Sequence, residues 1–152
     1  MREVHDIESV LAMLRRKASD EVEAFVRSAV RGMEISPEGL ARMEKGLRER
    51  MHGLGASILG AAMGLAGNGY ARSRRACECG SQRKYVNDRE RDVVSLLGKF
   101  RLRRAYYWCP QCGKSEAPMD RKLGIVSSDF TPTVRELVGR LGRKRPSIRD
   151  AT

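Results

Sequence analysis

Cys109-Pro110-Gln111-Cys112-Gly113 is the most informative stretch of this 152-residue chain. Two thiolates separated by two residues can bind one tetrahedral ion from a tight turn, and the glycine that follows lets the chain leave the turn with positive φ. A second pair lies upstream in Cys77-Glu78-Cys79-Gly80, with a spacing one residue tighter than usual. The segment between the pairs has room for strands that bring them together. The pattern predicts a Cys₄ zinc ribbon in which a structural Zn²⁺ ion is held by Cys77, Cys79, Cys109 and Cys112.

Three other interpretations of the cysteines stay open at this level: free buried thiols, a redox pair at Cys109 and Cys112, and an iron–sulfur site. A redox pair would not require the first two cysteines. Residues 4–10 are interrupted by charged side chains and do not resemble a signal peptide, so we expect a cytoplasmic protein whose thiols stay reduced. Because four thiolates leave zinc no open position for water, metal-assisted hydrolysis is not expected, and no other catalytic constellation is visible.

The residues between the two cysteine pairs predict a small β-unit. Gln82–Asn87 is a candidate strand, and Asp92–Leu96 with Lys99–Trp108 forms a candidate hairpin around Leu97-Gly98. The charged residues at 88–92 are expected to form a solvated turn. On the last strand, alternation places Phe100, Leu102, Arg104, Tyr106 and Trp108 on one face and Arg101, Arg103, Ala105 and Tyr107 on the other. We expect Tyr106 and Trp108 to pack against the metal site as its small core, ahead of contacting nucleic acid.

Before the cysteines, apolar residues recur at helical spacing from Val4 to Met33 and again from Leu40 to Leu65. Ser36-Pro37-Glu38 is typical of a helix start, and Gly67-Asn68-Gly69 is typical of a helix end. Two antiparallel helices are therefore expected. The 21 residues Met51–Ala71 carry no charged side chain, but six of them are glycine. They predict a small-residue helix face packed on another helix, rather than a membrane span.

These segments predict an α+β chain in three parts: a helical hairpin over residues 1–69, a zinc-ribbon domain over 70–126, and a short helix with a basic tail over 127–152. The last helix is expected to begin at Thr131-Pro132 and to end near Leu141. Spare apolar surface on the hairpin is expected to allow a homo-oligomer or contact with another subunit.

The positive charge of the chain is concentrated in its second half. Residues 1–69 hold 10 basic and 10 acidic side chains, whereas residues 70–152 hold 20 basic and 9 acidic ones, so the whole formal charge of +11 lies there. Such segregation favours a polyanionic partner, with nucleic acid ahead of a membrane surface. The candidate phosphate contacts are Arg72, Arg74, Arg75, Arg101, Arg103 and Arg104.

Several ordered motifs resemble one family, the insertion-sequence transposases of the ISKra type, over about residues 69–140. The matching residues are Gly69-Tyr70, Cys77-x-Cys79-Gly80, Leu97-Gly98-x-Phe100-x-Leu102-x-Arg104-x-Tyr106-Tyr107-x-Cys109-Pro110-x-Cys112-Gly113, Ala117-Pro118-Met119-Asp120 and Leu123-Gly124.

The resemblance implies a DNA-binding, zinc-containing N-terminal portion of a bacterial transposase that recognises or holds insertion-sequence ends. In that family an RNase H-like catalytic domain follows the ribbon, with three acidic residues that hold two divalent metals. We expect this chain to lack that domain, as a first-frame or truncated product, and not to cleave DNA by itself. Full-length transposase or a separate catalytic chain is then an expected partner, and the nucleoid the expected location. The alternative is a zinc-ribbon protein-interaction module without sequence-specific DNA binding; an enzyme domain completed by a partner chain and an RNA binder are further possibilities.

Overall fold

The structure is a computed structural model that describes residues 7–32 and 34–143, and it confirms the α+β architecture. Two long helices precede a curled four-stranded antiparallel sheet whose strand order is β1-β2-β3-β4. Two short helices follow. The elements are α1 Ile7–Arg31, α2 Pro37–Leu65, β1 Arg74–Ala76, β2 Gln82–Ser95, β3 Gly98–Trp108, β4 Ser115–Glu116, α3 Pro118–Lys122 and α4 Pro132–Arg143.

The predicted helical hairpin is confirmed, with the expected start signal of its second helix. The Ser36 Oγ accepts a hydrogen bond of 3.0 Å from the Gly39 backbone N–H, and Pro37 occupies the first turn. Helix α2 ends at Leu65, and the chain turns away through Gly67 with a φ of +92°. The expected first apolar residue of α1, Val4, lies outside the described residues. No residue of α1 is fully buried, so α1 covers one side of α2 without forming a closed core.

The prediction of a solvated turn at residues 88–92 is wrong, because β2 runs unbroken as one strand of 14 residues. Its charged side chains are neutralised across the ladder. Asp88 Oδ2 lies 3.1 Å from Arg103 Nε, and Asp92 Oδ1 lies 3.6 Å from Arg101 Nε. Opposite charges on neighbouring strands stabilise a sheet, so alternating acidic and basic residues need no turn here. The one irregularity is a bulge between Tyr85 and Asn87.

The apolar core lies at the far end of the sheet from the cysteines. It consists of Val93, Phe100, Leu102, Met119 and Ile125, with Leu59, Met63 and Leu123 packed against it. Residues on α2 and on the sheet thus share one core across the expected boundary at residue 69.

The small-residue face of α2 was predicted to pack on another helix, but at Gly55 and Gly60 it packs on the β2–β3 hairpin. A Cβ at Gly55 would lie 3.1 Å from Leu97 Cδ1, and one at Gly60 would lie 3.4 Å from Phe100 Cβ. The glycines let the helix approach the hairpin closely. Within the described ranges, no helix is long and apolar enough to cross a membrane.

The segment after the second cysteine pair forms β4 and α3. In α3, Asp120 is 8% exposed and makes ion pairs with two arginines of the sheet. Its Oδ2 lies 2.8 Å from Arg91 Nη1, and its Oδ1 lies 3.0 Å from Arg104 Nε. Helix α4 begins at Pro132 as predicted, whereas the basic tail from residue 144 onward lies outside the described residues.

Candidate metal centre and the basic face beside it

Each cysteine pair lies on a tight turn that the local sequence explains. The Cys77 carbonyl accepts a hydrogen bond of 3.0 Å from the Gly80 N–H, and the Cys109 carbonyl accepts one of 2.9 Å from the Gly113 N–H. Both glycines have positive φ, +82° at Gly80 and +70° at Gly113, which confirms the expectation for Gly113. The two turns face each other because Cys77 follows β1 and Cys109 follows β3 in the same sheet.

The four thiols form one cluster whose sulfur atoms all lie within 4.8 Å of one another. Cys77 Sγ lies 3.6 Å from Cys112 Sγ, and Cys79 Sγ lies 3.7 Å from Cys109 Sγ. These separations are much longer than a disulfide bond of about 2.05 Å, and all four cysteines are free. Cys77 and Cys109 are buried, whereas Cys79 and Cys112 lie at the surface. The cluster could hold one metal ion, with its inner two ligands shielded from water.

The backbone N–H groups of the two turns also change the pKa values of the cysteine thiols. The backbone N–H of Cys112, assisted by that of Gln111, points at the Cys109 sulfur and lowers the pKa of its thiol to about 6, although burial opposes this. At Cys79 the Ser81 N–H acts to lower the pKa, but the neighbouring Cys77 thiol, burial and the other two thiols outweigh it and raise the pKa to about 11. A metal ion that binds the cluster must therefore displace a proton from Cys79, whereas the lowered pKa of Cys109 favours its thiolate.

A buried layer of polar side chains supports the cysteine turns. Tyr107 is fully buried, and its hydroxyl donates a hydrogen bond of 2.8 Å to the Arg72 carbonyl. Arg83 Nη1 lies 3.0 Å from Glu116 Oε2, and this largely buried ion pair joins β2 to β4. The metal centre is thus tied both to the strands that carry it and to the segment that precedes β1.

Tyr107, and not Trp108, is the buried aromatic residue beside Cys109 on β3, contrary to the prediction for Trp108. Along β3 the buried face changes sides: Phe100 and Leu102 are buried on one face, whereas Ala105 and Tyr107 are buried on the other. Helix α2 covers the first half of the strand. The segment after α2 first runs along the edge of the second half, where the Ala105 N–H donates to the Asn68 carbonyl over 2.8 Å. It then passes over the opposite face, where the Tyr107 hydroxyl contacts the backbone of Ala71 and Arg72.

The remaining aromatic residues of β3 consequently face outward. Trp108 is 42% exposed. Tyr106 is half-buried, and the Arg89 guanidinium stacks on its ring at 3.5 Å from the centroid. Tyr106 thus packs against a charged side chain of the sheet, and not as part of an apolar core.

The six arginines expected to contact phosphate fall into two groups. The first group lies on β3 and faces carboxylates; it consists of Arg101, Arg103 and Arg104. The Arg101 Nη1 lies 3.4 Å from Glu90 Oε2, and the Arg104 side chain is largely buried against Asp120. Because the Arg104 guanidinium is largely buried in an ion pair, Arg104 is not a candidate phosphate contact. Arg101 and Arg103 are exposed, but each is paired with a carboxylate.

Arg72, Arg74 and Arg75, by contrast, line one shallow concave surface of about 400 Å³ beside the metal centre. Among the described residues, no carboxylate lies within ion-pair distance of these three arginines or of Lys84, which is directly opposite Arg74 on β2. We call Arg72, Arg74, Arg75 and Lys84 the unpaired basic patch.

Sequence reasoning did not identify Lys84 as part of this surface, and it placed Trp108 inside. Both positions could have been predicted from the alternation of side chains along β3, counted backward from Cys109. If Cys109 and Tyr107 point inward, then Trp108 and its cross-strand neighbour Lys84 point outward. No protein-family model, no curated protein and no solved structure matches this chain.

Proposed function

We propose that this protein binds DNA through the unpaired basic patch, on a sheet end held in shape by a structural zinc ion. The main support for this proposal is the contrast between the two groups of basic residues. The arginines of β3 are paired with carboxylates, whereas Arg72, Arg74, Arg75 and Lys84 lie together without acidic partners in the described part of the chain. Unpaired cations on one surface can neutralise successive phosphates and release their counterions.

Zinc is the metal that fits the donor set best. Four thiolates in tetrahedral arrangement at about 2.3 Å from Zn²⁺ lie about 3.8 Å from one another. Two of the sulfur pairs, at 3.6 and 3.7 Å, have nearly that separation. Four protein ligands leave no position for water, so the ion would stabilise the fold and take no part in a reaction.

The resemblance to ISKra-type transposases supplies the biological setting of the proposal. In that setting the DNA is the end of an insertion sequence in the bacterial nucleoid. A full-length transposase or a separate catalytic chain would then act on the DNA that this protein holds.

Titration of labelled DNA at two salt concentrations tests this function. Zinc-loaded protein is mixed with insertion-sequence ends and with scrambled duplexes. Tight, salt-sensitive binding that prefers the ends supports the proposal. The double variant Arg74→Gln/Lys84→Gln should reduce the slope of log affinity against log salt by about 0.9 for each phosphate that it no longer neutralises. Arg101→Gln is the matched control, since its partners Glu90 and Asp92 already neutralise it.

Equal, salt-insensitive and weak binding to every duplex would overturn the proposal. The protein-interaction module would then take its place, and one observation favours it as a second candidate. Val22, Val26 and Val30 form an exposed stripe at four-residue spacing on α1, each more than half exposed. We propose that this stripe pairs two copies of the chain, and light scattering of the wild type against Val22→Glu/Val26→Glu tests the oligomeric state.

A further inference from the structure

One row of side chains crosses all four strands at the metal-centre end of the sheet. In the ladder Arg74 lies directly opposite Lys84, Lys84 lies opposite Trp108, and Trp108 lies opposite Ser115. Residues directly opposite one another share a face, and all four are exposed. We call Arg74, Lys84, Trp108 and Ser115 the exposed row.

The composition of the exposed row is unfavourable for the isolated fold. Arg74 and Lys84 are like charges at directly opposed positions, which destabilises a sheet unless an anion lies between them. Trp108 is a large aromatic residue at a position that the interior does not require, because Tyr107 fills the space below. Within residues 7–32 and 34–143, no aromatic ring or guanidinium stacks on the Trp108 ring, whereas Arg89 covers Tyr106. The outer face of the indole is therefore open.

These features match the chemistry of one ligand. Adjacent strands are about 4.8 Å apart, so the two cations lie within about 10 Å of the indole along one line across the sheet. A nucleotide joins a flat aromatic base to an anionic phosphate over a similar distance. A base within a duplex is covered by its neighbours and cannot reach an aromatic side chain, whereas an unpaired base can.

We propose that the exposed row binds single-stranded DNA, with one unpaired base stacked on Trp108 and its neighbouring phosphates held by Lys84 and Arg74. This inference rests on the proposed DNA binding and specifies which form of DNA the site selects. Arg72 lies beside Arg74 on the same concave surface and extends the cationic path, whereas Arg75 points to the other face of β1, with its guanidinium 5.6 Å from the Tyr107 ring centroid. Stacking without base-edge hydrogen bonds makes this contact tolerant of sequence.

The chain carries its own probe for the test, because Trp108 is its only tryptophan. Zinc-loaded full chain is titrated with oligothymidylate and, separately, with a duplex of equal length, while selectively excited tryptophan fluorescence and anisotropy of labelled DNA are recorded. Stacking should quench the Trp108 emission with the single strand and leave it nearly unchanged with the duplex. Trp108→Ala should weaken single-strand binding about tenfold, and Trp108→Phe should restore most of it.

Two controls separate stacking from folding and from charge. The zinc content of each variant, measured with a chromophoric chelator, shows whether the metal centre adjacent to Trp108 is intact. Phe130→Ala removes a different aromatic ring, which lies near the end of β2 and is 47% exposed. This variant should bind the single strand and the duplex as tightly as the wild type does.

The outcomes distinguish this inference from the proposed function. If Trp108→Ala retains zinc and binds the single strand as tightly as the wild type, the stacking role is overturned, although duplex binding by the basic patch still stands. If Arg74→Gln/Lys84→Gln abolishes both kinds of binding while Trp108→Ala affects the single strand alone, both proposals hold. If the wild type binds neither DNA, both fall together.

Discussion

The hydroxyl of Tyr107 donates a hydrogen bond of 2.8 Å to the backbone carbonyl of Arg72. This contact joins a fully buried side chain of β3 to the exposed segment that enters β1. The Ala71 N–H donates to the same hydroxyl over 3.4 Å. The position of the basic patch is therefore set from inside the sheet, at the residue two positions before Cys109.

Replacing Tyr107 by phenylalanine removes that anchor and keeps the ring. The expected decrease is about 1 kcal/mol in the free energy of unfolding, typical of one buried hydrogen bond, together with weaker DNA binding because Arg72 is no longer held. Urea denaturation and a DNA titration check both effects. Tyr106→Phe is the matched control, since no hydrogen bond of the Tyr106 hydroxyl occurs in the described part of the protein; an equal decrease in the two variants would contradict the assignment.

Asp120 joins α3 to two strands through Arg91 and Arg104. Asp120→Asn keeps the shape of the side chain but leaves two largely buried cations without their shared anion. We expect a decrease of about 3 kcal/mol in the free energy of unfolding, because an unpaired buried charge is costly. Asp129→Asn serves as the control: Asp129 also pairs with Arg91, but its side chain is 65% exposed, so its replacement should cost under about 1 kcal/mol.

Removal of the metal should loosen one end of the sheet and spare the other. The cysteines lie at the end of β3 that holds Tyr107, whereas the apolar core around Val93 and Phe100 lies at the opposite end against α2. After chelation, or in Cys109→Ser, amide hydrogen exchange should accelerate strongly at Tyr85 and Tyr107 and only slightly at Val93. Uniform acceleration along both strands would show that the metal and the core act as a single cooperative unit instead.

Metal affinity should rise with pH. At neutral pH the raised pKa of Cys79, about 11, means that its thiol carries a proton which the metal must displace. Below about pH 6 the Cys109 thiol is protonated as well, so binding there releases one further proton and the affinity falls more steeply. Competition with a chromophoric chelator across this range measures the change of slope, and a pH-independent affinity would contradict the arrangement of the thiols.

The turn between α1 and α2 depends on a missing side chain at Gly39. A Cβ there would overlap the Glu34 carbonyl oxygen, so Gly39→Ala must displace the backbone and should cost about 2 kcal/mol in the free energy of unfolding. Gly46→Ala, in the middle of the same helix, meets nothing within 4 Å and should stabilise the protein by up to about 1 kcal/mol. Thermal unfolding followed by circular dichroism compares the two, and equal effects would show that the close approach is absent.

Part of the candidate site could be predicted because it depends on local chemistry. The spacing of the cysteines and the glycine after each pair predicted two turns that meet, since both features act within a few residues. The solvated turn expected at residues 88–92 does not form, because the conformation of that stretch is not determined by nearby residues. Whether a charged stretch is solvated or paired depends on Arg101 and Arg103, which are distant in sequence and become neighbours only in the ladder.

The residues alone were sufficient for the two helices, their boundary at Ser36, the cysteine cluster and the α+β class, because periodicity, capping and ligand spacing are encoded within single elements. Only the tertiary structure determined which face of β3 is interior. Alternation separates Tyr107 from Trp108 but does not say which of them is covered. That depends on where the chain passes after α2: the segment at Ala71 and Arg72 lies against the Tyr107 hydroxyl and covers that face, which leaves Trp108 beside Lys84 at the surface.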